Sequence, residues 1–158
     1  MGWGPTAILG AKVAAPDKVC VSIAGDGGFL IVCQEVATAV DWGLPVIWFV
    51  FNDMALRAIR DGQREAYDGR IIGTEFSQPT DFAAMARSMG AVGLTVSHCD
   101  ELEGVVDQAI TCGRPCVVDL QVDRDAVYPP IAGIWYEPHR STRSEMPRGS
   151  EVKWTKSL

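Results

Sequence analysis

No stretch of this chain approaches the roughly 18 consecutive apolar residues that a membrane helix needs, so none of its hydrophobic runs reads as a membrane span. A secretory leader is not expected either, because Gly4, Pro5 and Lys12 interrupt any apolar run near the N-terminus. Cationic residues are the minority, 14 Lys and Arg against 20 Asp and Glu. That balance excludes nucleic acid as a general partner, since a phosphate backbone selects a basic face. The deficit is uneven: His139–Leu158 carries five Lys and Arg and two Asp and Glu, a net +3, which leaves −9 on the remainder. Histidine is scarce, and His98 has no partner in the sequence that would suggest more than a structural or surface role. The five cysteines are an odd number, and Gly-Arg-Pro between Cys112 and Cys116 matches neither a redox pair nor a zinc-knuckle spacing. They read as buried, reduced thiols of a cytoplasmic protein. The 158 residues contain no internal repeat and suffice for one domain with a real core.

What is present alternates strand and helix. "KVCVSIA" (18–24) is β-branched and apolar, bounded by Pro16-Asp17 and Gly25, and is expected to be a buried strand. "FLIVCQEVATAVD" (29–41) lacks Gly and Pro and is apolar on nearly every side, a helix that needs cover all round, either from this domain or from a partner subunit. Gly43-Leu44-Pro45 stops it, and "VIWFVFN" (46–52) is a second buried strand. The polar stretch 54–80, with Gly62, Gly69, Gly73 and Pro79, reads as a long functional loop holding about one helical turn. Beyond it, "TDFAAMARSMG" offers Thr80 or Asp81 as N-cap and Gly90 as stop; "GLTV" (93–96) is a strand, 100–113 an amphipathic helix closed by Gly113, and "PCVVDLQV" (115–122) a last strand. The order implies an α/β fold, a doubly wound, mostly parallel sheet with helices on both faces. The domain is expected over residues 1–128, with a C-terminal tail, 129–158, in which Trp135 and Tyr136 pack the tail down and His139 has no assigned role.

In a right-handed βαβ unit both strand ends emerge on the same sheet edge, where open α/β sheets bind ligands. The loop Gly25-Asp26-Gly27-Gly28 therefore converges with Asn52-Asp53-Met54-Ala55. Either half alone is an ordinary turn. Together they place glycines and a helix start, which suit an anion, beside a carboxylate, which repels one. A divalent cation between them reconciles the two, because Mg²⁺ is held by one or two carboxylates plus phosphate oxygens. A generic nucleotide-binding domain fits less well, since Asp26 would repel phosphate without a metal.

Gly-Asp-Gly followed after 24 residues by Asn-Asp resembles the cofactor motif of thiamine-diphosphate-dependent enzymes. "QEVATAV…GLPV" and the opening "MGWGPTAILGAK" look like the acetolactate-synthase-like branch, and "TDFAAMARSMGA" and "GRPCVVDLQVD" follow in the order of its C-terminal cofactor-binding domain. The resemblance covers residues 1 to about 125. It implies a thiamine-diphosphate-binding fold, with thiamine diphosphate and Mg²⁺ as cofactors. Asp26, Asp53 (or Asn52 in a shifted register) and the backbone carbonyl of Ala55 would ligate magnesium. Gly25, Gly27, Gly28 and Phe29 would line the diphosphate, and Met1 would prop the cofactor. Ala58, Ile59 and Gly62 would fall near the substrate. Acetolactate synthases carry tryptophan where this chain has Gly62 and usually glycine where it has Arg57, which puts strict acetolactate synthase activity in doubt. Arg57, Arg60 and Arg64 are expected to be solvated loop charges, with binding of a substrate carboxylate or acyl-CoA phosphate as the other reading.

The implied activity is decarboxylation or carboligation of a 2-oxo acid. The glutamate that activates the cofactor lies on a separate pyrimidine-binding domain in such enzymes, and Glu35 belongs to the wrong segment for it. The chain is thus expected to be a fragment or one subunit of a homo- or hetero-oligomer that completes its site from elsewhere. The alternative is a non-catalytic cofactor-binding or regulatory subunit of the same fold.

Overall fold

The computed structural model describes residues 1–126. Residues 127–158, and with them the expectations for Trp135, Tyr136 and His139, lie outside the described residues. Four strands, β1 (Cys20–Gly25), β2 (Val46–Asn52), β3 (Val92–Val96) and β4 (Cys116–Gln121), form one sheet in the order β1-β2-β4-β3. Every neighbouring pair is parallel. Six helices surround it: α1 (Trp3–Ala14), α2 (Asp26–Leu30), α3 (Glu35–Asp41), α4 (Arg57–Ala66), α5 (Phe82–Ser88) and α6 (Leu102–Thr111).

Strand alternation splits the core between the two faces. Val46, Trp48 and Val50 of β2 with Val117 of β4 meet Ile8 of α1, Phe29 of α2, Val36 and Ala39 of α3, and Phe82 and Ala86 of α5. Ile47, Cys116 and Val118, pointing the other way, pack with Val96 and with Ala109 of α6. Helices thus cover both faces, as the alternation of elements requires. No described helix is long and apolar enough to cross a membrane.

Several expectations are corrected. β1 is an edge strand, not a buried one: Val21 and Ile23 are 47% and 70% exposed, because α6 sits at the β3–β4 end and leaves that part of the face open. The single helix expected over 29–41 is divided. Val32, Glu35, Val36 and Ala37 each donate to the carbonyl three residues back, so the helical path tightens between α2 and α3. Within this chain Ile31 is left exposed, so cover on that side would have to come from a partner. No element was expected over the first residues, yet α1 forms there across Gly4, Pro5 and Gly10. Pro5 lies in the first turn, where a missing N–H costs nothing, and its carbonyl accepts the Trp48 indole N–H at 2.8 Å. The thiols are all free, but only Cys116 is fully buried, with its pKa pushed up to about 12 by burial, while Cys99 is exposed.

The largest correction is α4, ten residues where a loop with one turn was expected. Its only buried residue is Arg60, so no apolar stripe announced it. Charge pairs hold it instead: Arg57 Nε lies 3.6 Å from Asp61, and Arg64 Nη1 3.9 Å from the same carboxylate. Gln63 ties its end to the following chain, bonding both the N–H and the C=O of Ile72 at 3.1 Å. α5 opens as expected on Asp81, whose carboxylate accepts the Ala84 N–H at 2.7 Å, and stops at Gly90 with φ +88°.

Candidate functional site

β1 and β2 run in register, Gly25 beside Phe51, so the chain leaves both strands at one corner of the sheet. Asp26 opens α2 there and is 2% exposed; Asp53 follows β2 and is 6% exposed. The two carboxylates meet on one donor. The Ala55 N–H lies 3.2 Å from Asp26 Oδ2 and 3.2 Å from Asp53 Oδ1. The other Asp26 oxygen accepts the Gly27 N–H at 2.6 Å. Burial raises the Asp26 pKa, the neighbouring Asp53 charge raises it further, and N–H bonds from Gly27, Ala55 and Met54 pull it back. A corner that holds two carboxylates away from water gains from a cation.

The turn that aims Ala55 is built with strain and then braced. Met54 adopts φ +58°, unusual for a side chain with a Cβ. Ala55 forms a bridge with Glu75, flanked by Leu56 N–H to Thr74 O and Phe76 N–H to Met54 O, both 2.8 Å. In such antiparallel pairing the intervening residue points its N–H and C=O away from the partner strand, which leaves the Ala55 N–H to the two carboxylates. The Arg124 guanidinium clamps the turn from beyond β4, donating to Asp53 O, Met54 O and Phe76 O at 3.3, 3.3 and 3.2 Å. Sequence reasoning missed Arg124; the available signal was its place just after a strand ending at this same edge.

The glycine loop packs closely. A Cβ on Gly27 would lie 2.3 Å from Leu56 Cδ2 and 3.9 Å from Met1 Cε, so Met1 and Leu56 both sit against the loop. Asp26 to Gly28 form the first turn of α2, whose N–H groups lack helical partners. The Phe29 ring anchors that turn in the core, edge-on to Phe82 at 5.7 Å and tilted on Trp48 at 6.1 Å.

Asn52 is turned elsewhere. Its amide donates to Thr80 O at 2.9 Å and to Asp119 Oδ1 at 3.0 Å, while the other Asp119 oxygen accepts the Phe82 N–H at 3.2 Å. This buried cluster ties β2 and β4 to the start of α5. The structure therefore brings Asp53, not Asn52, to Asp26. Ala58, Ile59 and Gly62 lie on exposed parts of α4.

The arginines depart from the expectation of solvated charges. Arg60 is fully buried; its Nη2 donates to Arg124 O at 2.6 Å, and Asp61 and Glu75 lie 3.6 and 3.7 Å from the guanidinium. Arg57 is almost as enclosed and pairs through Nη1 with Asp53 Oδ2 at 2.9 Å. Only Arg64, 49% exposed, stands as expected. His98 is exposed, and its backbone N–H donates to Glu101 at 3.1 Å.

Among the described residues no three Asp, Glu, His or Cys side chains cluster as a complete metal cage. The corner offers two buried carboxylates held on one backbone N–H. That set of hard oxygens suits a Mg²⁺ that takes its remaining ligands from water and a bound diphosphate.

Residues 1–120 match the family model described as thiamine pyrophosphate enzyme, C-terminal TPP binding domain. The chain is 37% identical over 131 residues to an acetolactate synthase large subunit of Haemophilus influenzae, covering 82% of this chain and 23% of that protein. It is 31% identical over 128 residues to a sulfoacetaldehyde acetyltransferase of Alcaligenes xylosoxydans, covering 78% and 21%. A thiamine diphosphate-dependent 4-hydroxybenzoylformate decarboxylase of Rhodococcus jostii superposes with a TM-score of 0.74 at 22% identity, over 79% of this chain and 24% of that one. The chain spans about a fifth of the length of the curated relatives it matches.

Proposed function

The chain belongs to the thiamine pyrophosphate enzyme family through the C-terminal TPP binding domain, in its acetolactate-synthase-like branch, and from that premise we propose that it holds the diphosphate end and the Mg²⁺ of thiamine diphosphate in an enzyme that decarboxylates or ligates 2-oxo acids. The observation that carries this reading is the convergence of Asp26 and Asp53 on the Ala55 N–H. In the proposal Asp26, Asp53 and the Ala55 carbonyl ligate the cation, and the N–H groups of Gly28 and Phe29 face the diphosphate across it, beside Gly27, whose own N–H holds Asp26 Oδ1. Met1 and Leu56 flank the glycine loop and set the space left above it.

When bound, the cofactor would supply a carbon nucleophile and an electron sink for carbonyl chemistry. What this chain does is narrower. It neutralises and anchors the diphosphate, and it fixes the turn that points Ala55 inward. It also keeps water from the two carboxylates. The group that activates the pyrimidine ring would come from a pyrimidine-binding domain or subunit, so turnover is proposed only for the assembled, oligomeric site. Residues 1–128 are proposed as the cofactor domain and 129–158 as an appended tail.

Binding of thiamine diphosphate, followed by quenching of tryptophan fluorescence, tests the assignment. Asp26→Ala should abolish Mg²⁺-dependent binding while circular dichroism shows the fold intact. Unchanged affinity in that variant would remove Asp26 from the site.

A further inference from the structure

Arg57 is the first residue of α4, the end of a helix where the backbone dipole favours acids and opposes cations. A guanidinium placed there needs compensation. It finds it in Asp53 Oδ2 at 2.9 Å, in Asp61 at 3.6 Å and in the carbonyl of Ala126. The Asp53 side chain is thereby divided: Oδ1 faces Ala55 and Asp26, and Oδ2 faces Arg57. Its inward oxygen does not depend on Arg57 for aim, because the Ala55 N–H already holds it.

We propose that Arg57 is a resident counter-ion of the Asp26–Asp53 pair, a positive charge carried by the chain itself that stands in for part of the metal's charge and lowers the site's affinity for a divalent cation. The proposal rests on the cation reading of the preceding section. Two facing carboxylates without a cation repel one another, and Arg57 relieves one of them. When a cation arrives, Asp53 is shared between it and the guanidinium, and the two positive charges stand one carboxylate apart. Even screened as fully as in water, such a repulsion is worth at least roughly a tenfold change in affinity, about 1.4 kcal/mol, and the enclosure of Asp53 and Arg57 can only enlarge it. A site tempered in this way would fill when cation and diphosphate arrive together, since the diphosphate adds the negative charge that Arg57 has cancelled.

The test titrates Mn²⁺, without cofactor, into the full chain, following the free ion by electron paramagnetic resonance and thermal unfolding in parallel. Arg57→Met should bind Mn²⁺ at least roughly tenfold more tightly than the wild type. It should unfold at a lower temperature without metal, and saturating Mn²⁺ should recover most of that loss. Arg57→Lys keeps the charge and should bind close to the wild type. If the methionine variant does not fold, Arg57→Gln carries the same expectation. Equal or weaker binding by the neutral variant would overturn the proposal, as would a lysine variant that behaves like the neutral one. A stability loss that Mn²⁺ does not recover would also overturn it, because it would mark Arg57 as a plain structural brace. Absence of Mn²⁺ binding in every protein, wild type included, would instead refute the cation site itself.

Discussion

Gly27 and Gly28 are neighbours in the first turn of α2, yet a methyl group has room at only one of them. A Cβ on Gly27 would lie 2.3 Å from Leu56 Cδ2, whereas on Gly28 it would meet nothing within 4 Å. Carbon atoms normally rest about 3.5–4.0 Å apart, so Leu56 or the loop must retreat by more than 1 Å to admit Gly27→Ala. Leu56 Cδ2 is the tip of a half-buried side chain that can change rotamer, so the cost falls at the low end for overpacking, about 1 kcal/mol. Both changes gain helix propensity, up to about 1 kcal/mol each. Gly28→Ala should therefore stabilise slightly, and Gly27→Ala should lie about 1 kcal/mol below it. For a domain of this size that is roughly 4 °C in Tm. Calorimetry on both variants, on Leu56→Ala and on the double variant decides it. Removing the colliding Leu56 atoms should erase the cost of Gly27→Ala, leaving a coupling of about 1 kcal/mol. Equal Tm values for the two alanine variants, or no coupling to Leu56, would refute the packing argument.

The raised pKa of Asp26 sets a pH dependence. The fold holds that proton more tightly than the unfolded chain does, so ionised Asp26 costs stability above its folded pKa, and the cost vanishes as pH falls through that pKa toward 3.8. A bound cation favours the ionised form, so the increase in Tm caused by Mg²⁺ should shrink on acidification through the same window; a constant increment would count against Asp26 as a ligand. Arg124→Met takes a donor from the carbonyls of Asp53, Met54 and Phe76, of which Met54 keeps the Phe76 N–H. It should cost about 1.5–3 kcal/mol in urea unfolding and weaken Mn²⁺ binding severalfold. Asn52→Ala strips one partner from buried Asp119 and should cost about 2–3 kcal/mol. Because its amide faces away from Asp26, cation affinity measured by titration should not change.

The βαβ unit was legible because its strands are apolar runs of the right length, punctuated by Gly25 and by Gly43-Leu44-Pro45. Parallel connection then brings the Asp26 loop and the Asn52-Asp53 pair to one sheet edge, so their convergence was legible from the spacing. Choosing between Asn52 and Asp53 was harder, since neighbours on a strand point oppositely and a one-residue shift in register exchanges them. In the structure the Asn52 amide turns to Asp119, a partner 67 residues away in the chain. α4 was hidden for a different reason: charge pairs rather than an apolar stripe hold it, and Arg60 is buried by groups from Glu75 and Arg124 that no local pattern reveals. α1 was hidden by glycines and a proline that are harmless where they fall. The brace from Arg124 to the Asp53–Met54 turn is likewise a long-range contact with no periodic signature.

The most direct test is a crystal structure of the chain with thiamine diphosphate and Mn²⁺, with anomalous scattering used to locate the metal. One Mn²⁺ peak is predicted at coordinating distance, about 2.1 Å, from a carboxylate oxygen of both Asp26 and Asp53, with the Ala55 carbonyl and the diphosphate completing its shell. Diphosphate ordered at the glycine loop with no metal between the two carboxylates, or Mn²⁺ bound elsewhere, would contradict the account.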